Sequence, residues 1–257
     1  MKMNDFLKQC ASDIKTTGKP FTEDDFYYLL KYVGIKKDQS LVEDIEEFYQ
    51  KFLNNLNNSL VRHIVRKTGK KENTTHYIGF YTDARANYTE SCKVYFSVKY
   101  DYMISALKTI CSYLIRNSIE SVVKFHVKAT NENIVIRFYH EEDVLPFINY
   151  CNNNFILDDL LERPNPFIAT IYGIGIVKDD NTLSTYNETL SKVLKDYFNF
   201  LSTHDALDKI SDLHFLDYVI QKENVEENEI IRFDLKAIEK NMKAILSQTS
   251  PLRKFLD

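Results

Sequence analysis

SVVKFHVKATNENIVIRFYH, residues 121–140, decides how the middle of this chain folds. Val122, Val123, Phe125 and Val127 precede a polar turn, TNEN. Ile134, Val135, Ile136, Phe138 and Tyr139 follow it. β-Branched and aromatic residues on both sides of such a turn predict a strand pair. Side chains alternate faces along a strand. Val123, Phe125 and Val127 therefore share one face, and Lys124, His126 and Lys128 share the other. The apolar set is expected toward the core and the basic set outward, with successive basic residues roughly 6–7 Å apart. If the strands pair as a hairpin, Arg137 is expected near Lys128 on the shared face.

The pattern on either side places this hairpin in a larger sheet. HYIGFYTDA and CKVYFSVKY read as strands, the second with Val94, Phe96 and Val98 on one face and Lys93, Tyr95, Ser97 and Lys99 on the other. FIATIYGIGIVKDD reads as strand, turn and strand. Helices are predicted before, between and after these strands. FTEDDFYYLLKYVG has Thr22 as its N-cap and Gly34 beyond its last turn. SLVEDIEEFYQKFLNNLNNSLVRHI looks helical, opening on the capping box Ser40–Glu43 with Leu41, Ile45, Phe48, Tyr49, Phe52 and Leu56 on one apolar face. YDYMISALKTICSYLIRN and HEEDVLPFINYCNNN are two more helices. TYNETLSKVLKDYFNFL buries Tyr186, Leu190, Val193, Leu194, Tyr197, Phe198 and Leu201 along one face. The fold class is α+β: N-terminal helices, a central mixed or antiparallel sheet with flanking helices, and C-terminal helices. Three regions follow: residues 1–75, helical and ending in a basic loop; residues 76–203, the α+β core; and residues 204–257, helical.

Composition narrows the function classes. A chain of 257 residues with 44% hydrophobic and 27% charged residues is globular in type. Its formal net charge of −4 gives no reason to expect nucleic acid. No apolar run approaches the ~18 residues of a membrane helix, and the N-terminus lacks a secretory signal pattern. Neither a membrane nor a nucleic-acid partner is expected. The expected location is the cytoplasm, with delivery into a host cell by a specialised secretion system left open. Cys10, Cys92, Cys111 and Cys151 show neither CxxC nor ligand spacing, so buried thiols are expected rather than disulfides or a metal site. His204 and His214 have no carboxylate companion at ligand spacing. The GIG at 173–175 lacks the rest of a dinucleotide fingerprint, and Walker A, HExxH and GxSxG motifs are absent. No cofactor is expected.

The opening stretch leaves two readings open. A row of Lys, His and Lys with an Arg beside it is either a solvated basic face or a cradle for a phosphoryl group. Arg and Lys supply charged donors, and His can protonate a leaving oxygen. A lysine crowded by other cations loses its proton more easily and can act as a base.

Three blocks carry a resemblance that bears on this choice. KVYFSVKYDYMISALKTI, KFHVKATNENIVIRFYHEEDV and NPFIATIYGIGIVKDDNTLSTYNETLSKVL resemble, in order, blocks of the HopA-type effector family, which includes the stand-alone lyase subunits of class V lanthipeptide synthetases. The resemblance spans roughly residues 78–203. It implies chemistry related to phosphothreonine lyases, whose strand carries a Lys-x-His pair similar to Lys124–Phe125–His126. By that resemblance Lys124 and Arg137 hold phosphate, His126 protonates the leaving phosphate, and Lys128 removes the α-proton. The sequence departs from the family at RFYHEED, where an Asp-Ser pair is usual, and at TYNETLSKVL, which lacks the usual arginine. Lys178 or Arg163 is then expected to supply the missing phosphate ligand.

The resemblance implies a phosphoserine or phosphothreonine lyase acting on a phosphorylated precursor peptide, free of metal and organic cofactors. Its implied partners are the peptide and separate kinase and cyclase subunits. The alternative is a non-catalytic phosphopeptide-binding effector or scaffold. LVRHIVRKTGKK, residues 60–71, adds a basic loop in which Arg66, Lys67, Lys70 and Lys71 are candidates for docking a leader peptide or partner.

Overall fold

The computed structural model describes residues 2–32, 44–66, 77–82, 91–127, 131–155, 166–179 and 186–225. Among these, seven strands form one antiparallel sheet in the order β1-β2-β4-β5-β3-β7-β6. The strands are β1 (Ile64–Arg66), β2 (Tyr77–Thr82), β3 (Ser91–Phe96), β4 (Ser121–His126), β5 (Ile134–Phe138), β6 (Ala169–Ile171) and β7 (Ile174–Asp179). The helices are α1 (Met3–Thr17), α2 (Glu23–Tyr32), α3 (Ile45–Asn55), α4 (Asn58–Val61), α5 (Met103–Arg116), α6 (Val144–Asn154), α7 (Tyr186–Thr203) and α8 (Asp212–Val225).

Each face of the sheet has its own core. The first face carries Val94, Phe96, Val123, Phe125, Ile134, Ile136 and Phe138, which pack with α3, α5 and α6. Phe125 is fully buried, with its ring centroid 5.5 Å from Phe48 and 6.4 Å from Phe80. Tyr95, Val135 and Val177 of the second face join apolar residues of α1, α2, α7 and α8. The predicted Tyr186–Leu201 stripe of α7 is buried as expected.

Local signals explain most element boundaries. Thr22 Oγ1 accepts from the Asp25 N–H while the Thr22 N–H donates to the Asp25 carboxylate, a reciprocal cap on α2. Tyr172 and Gly173 both have positive φ, 53° and 79°, as a two-residue hairpin turn between β6 and β7 requires. The stretch expected to be helical, residues 40–64, divides further among the described residues. Asp44 caps α3 by accepting from the Glu46 and Glu47 N–H groups, and the chain leaves the helix at Leu56. Asn57 caps the short α4, and Ile64–Arg66 then pair with β2. Asn57 initiates a turn by bonding the Ser59 N–H, a competing local bond that the apolar spacing conceals. The Ser40–Glu43 box lies outside the described residues.

Candidate functional site

The register of the sheet fixes where the opening stretch puts its basic groups. Lys124 pairs with Gly79 of β2 and with Val135 of β5. One pair along, Val122 faces Arg137, and Arg137 faces Lys93 of β3. Residues directly opposite one another share a face. Lys93, Arg137 and Lys124 therefore lie on the second face, across three neighbouring strands. Lys93 and Arg137 are direct neighbours, and Lys124 is diagonal to Arg137 at roughly 7–8 Å between Cα atoms.

Their surroundings differ. Lys124 is exposed and Arg137 is half-buried. Lys93 is only 6% exposed. Like charges placed directly opposite on a sheet repel, and a buried ammonium needs polar company. Lys93, Arg137 and Lys124 each take part in further interactions within the protein. Strand alternation puts Lys93 on the polar side of its strand but does not by itself join it to Lys124 and Arg137. The missed signal was its register with Arg137, which strand alternation alone does not supply.

Two expectations from the opening stretch need correction. The first is that His126 points outward. It is 3% exposed, and its N–H donates to the Asn133 carbonyl at 2.8 Å. Helices cover the second face as well as the first, so the alternation that exposes Lys124 does not expose His126. The second is that Arg137 lies near Lys128. The register puts Arg137 opposite Val122, at the end of β4 away from the turn. His126 is four residues further along, roughly 13 Å away along the strand. Lys128 itself lies outside the described residues, as do Arg163, Lys67, Lys70 and Lys71. Lys178 is in β7, where the register pairs it with Cys92, one position on from the Lys93–Val177 pair. Arg66 ends β1 and is engaged within the chain. Its guanidinium forks onto the Glu46 carboxylate, with Nη1 at 2.7 Å from Oε2 and Nη2 bonded to Oε1.

The turn read as a polar tip is buried. Asn131, Glu132 and Asn133 are each at most 5% exposed. The Asn131 N–H and side-chain amide donate to the Lys31 and Leu30 carbonyls, capping the C-terminal end of α2. The Ser97 hydroxyl donates to the Asn131 carbonyl. The Asn187 side-chain amide lies 2.8 Å from both Glu132 oxygens, tying the turn to α7. Burial pushes the nearby Tyr186 phenol well above its ordinary pKa, and the charge of Glu132 acts in the same direction. The far end of the hairpin is thus a buried polar junction of α2, α7 and the sheet. It holds the buried carboxylate of Glu132, which the residue pattern of the turn does not single out.

Two solved structures share this architecture. An effector protein from Pseudomonas syringae pv. syringae strain 61 aligns with a TM-score of 0.52 at 12% identity, covering 76% of this chain and 86% of its own. An effector protein from Pseudomonas syringae pv. tomato strain DC3000 gives 0.55 at 11% identity, covering 83% and 89%. The chain has the fold of these effectors. At such identity the likeness concerns the fold alone. No family model matches the sequence, and no curated protein does.

Proposed function

We propose that the second face of the sheet binds the phosphate of a phosphoserine or phosphothreonine peptide and that the chain eliminates it, as the resemblance to HopA-type effectors and lanthipeptide lyase subunits implies. The observation that carries this reading is the register that sets Arg137 directly beside Lys93 and diagonal to Lys124. A forked guanidinium and two ammonium groups match a phosphate dianion in charge and donor geometry. In the elimination, the neutral amine of Lys128 takes the α-proton. The C–H electron pair becomes the Cα=Cβ double bond. The Cβ–O bond breaks, and phosphate leaves with a proton from His126. The cations stabilise the enolate-like charge and the departing phosphate. In a biosynthetic setting a separate kinase supplies the phosphopeptide and a separate cyclase consumes the dehydrated product.

One observation favours the second reading, a non-catalytic phosphopeptide binder. His126 is buried and stands roughly 13 Å along β4 from Arg137. An acid in that position reaches phosphate only if its cover moves. Incubation with a phosphothreonine peptide followed by mass spectrometry separates the readings. Loss of the mass of phosphoric acid supports the lyase. An unchanged peptide that nevertheless binds supports the binder. An unchanged peptide that does not bind removes both.

A further inference from the structure

α2 and α7 pack side by side, and a groove of about 720 Å³ runs between the N-terminal end of α2 and one row of α7. That volume is typical of clefts that take a small molecule or a short side-chain-bearing segment. Phe21 and Tyr27 supply aromatic walls, and three carboxylates, Glu23, Asp24 and Glu188, line the groove together with one ammonium, Lys195. The chain's own cations show what such a lining accepts. Lys195 Nζ lies 3.7 Å from a Glu23 oxygen. Lys31 Nζ sits 4.5 Å from the centroid of the Tyr27 ring. The ring and the carboxylate thus each hold a positive group already, and carboxylates still outnumber ammonium groups in the lining.

We propose that this groove docks an arginine-bearing peptide segment of a partner protein. A guanidinium is planar, stacks on aromatic faces and forks onto carboxylates, and this groove places Phe21 and Asp24 beside the Tyr27 ring and Glu23 carboxylate that Lys31 and Lys195 engage. The groove uses no residue of the basic sheet face, so the proposal stands apart from the phosphate reading.

The test uses the full chain and a fluorescein-labelled peptide of alternating glycine and arginine. A matching peptide with neutral citrulline in place of arginine serves as the comparison. Fluorescence anisotropy at low salt is expected to show saturable binding of the arginine peptide and none of the citrulline peptide. The double variant Asp24→Asn, Glu188→Gln is expected to weaken binding at least tenfold. Asn199→Lys, which puts a cation at a half-buried position in the groove, is expected to do the same. The latter keeps the claim testable if the double variant folds poorly. Glu141→Gln with Glu142→Gln, exposed acids outside the groove, is expected to leave the affinity unchanged. Equal loss in the groove and control variants would assign the binding to general surface charge and overturn the proposal. So would the absence of saturable binding to the wild type, or undiminished binding by Asn199→Lys.

Discussion

Asn133 bonds the backbone N–H and carbonyl of Val98 with the two halves of its side-chain amide. Oδ1 accepts from the Val98 N–H at 2.9 Å, and Nδ2 donates to the Val98 carbonyl at 2.5 Å. All of these groups are buried, so truncation leaves a donor and an acceptor without partners. Each costs about 1–3 kcal/mol. Asn133→Ala should therefore destabilise the protein by about 2–6 kcal/mol in urea unfolding. A loss within the ordinary surface range of about 0.5 kcal/mol would show that water replaces the amide. Lys93→Met keeps the bulk but removes a buried charge that interacts within the protein, and taking one member from such a buried set destabilises. Its unfolding midpoint should fall, and its affinity for a phosphothreonine peptide should fall about tenfold. A fall in stability with binding intact would make Lys93 a structural cation only. At this scale the sequence was legible by residue type and opaque by partner. Lys124 and Arg137 could be singled out from their chemistry. Lys93 joins them only through the register of β3 against β5, a non-local fact. The Asn131–Asn133 turn is legible as polar, but its burial under α2 and α7 is a non-local fact.

β4 is held by its aromatic neighbours on the first face. Phe125 lies within 6.4 Å, centroid to centroid, of Phe48, Tyr49, Phe52 and Phe80. Phe125→Ala should cost about 3–5 kcal/mol, the range for deleting a buried ring. A cost under about 1 kcal/mol would contradict the packing. The cap of α2 gives a prediction with a pH sign. The Thr22 hydroxyl and N–H donate to the Asp25 carboxylate at 2.7 and 2.8 Å and hold its pKa below the ordinary value. A carboxylate with a depressed folded pKa stabilises the fold above its unfolded value, about 3.9, and this contribution is lost as pH falls through the folded value. The stability difference between wild type and Asp25→Asn should therefore be level near neutrality and shrink below about pH 4. A difference that grows on acidification would contradict the cap. The Thr22 cap, strand alternation and the α7 stripe were legible in the sequence because each is a local pattern. The break at Leu56–Asn57 was not, because the apolar spacing continues across it.

Among the described residues, helices pack on both faces of the sheet, and the thiols lie inside that packing. Cys10, Cys92, Cys111 and Cys151 are all buried. Burial, aided by the charge of Asp13, pushes the Cys10 thiol up to about 12, and burial also raises Cys111 and Cys151. Thiolates are the reactive form. A disulfide reagent at pH 8 should label none of the four in the folded protein and all four in denaturant. Prompt labelling of the folded protein would contradict this arrangement. The same double cover explains why the fold class could be read from sequence and the site only in part. Two-sided burial is set by which helices return to which face, and no strand pattern encodes that return. The central claim is that Arg137, flanked by Lys93 and Lys124, receives phosphate. Its most direct test is calorimetric titration of wild type and Arg137→Ala with one peptide in its threonine and phosphothreonine forms. Hydrogen bonds to a charged group contribute about 1.5–3 kcal/mol each, so losing the guanidinium should weaken binding about tenfold or more. The account predicts binding of the phosphorylated peptide alone, with that loss in Arg137→Ala. Equal affinity for both peptides, or undiminished binding of the phosphopeptide by Arg137→Ala, would contradict it.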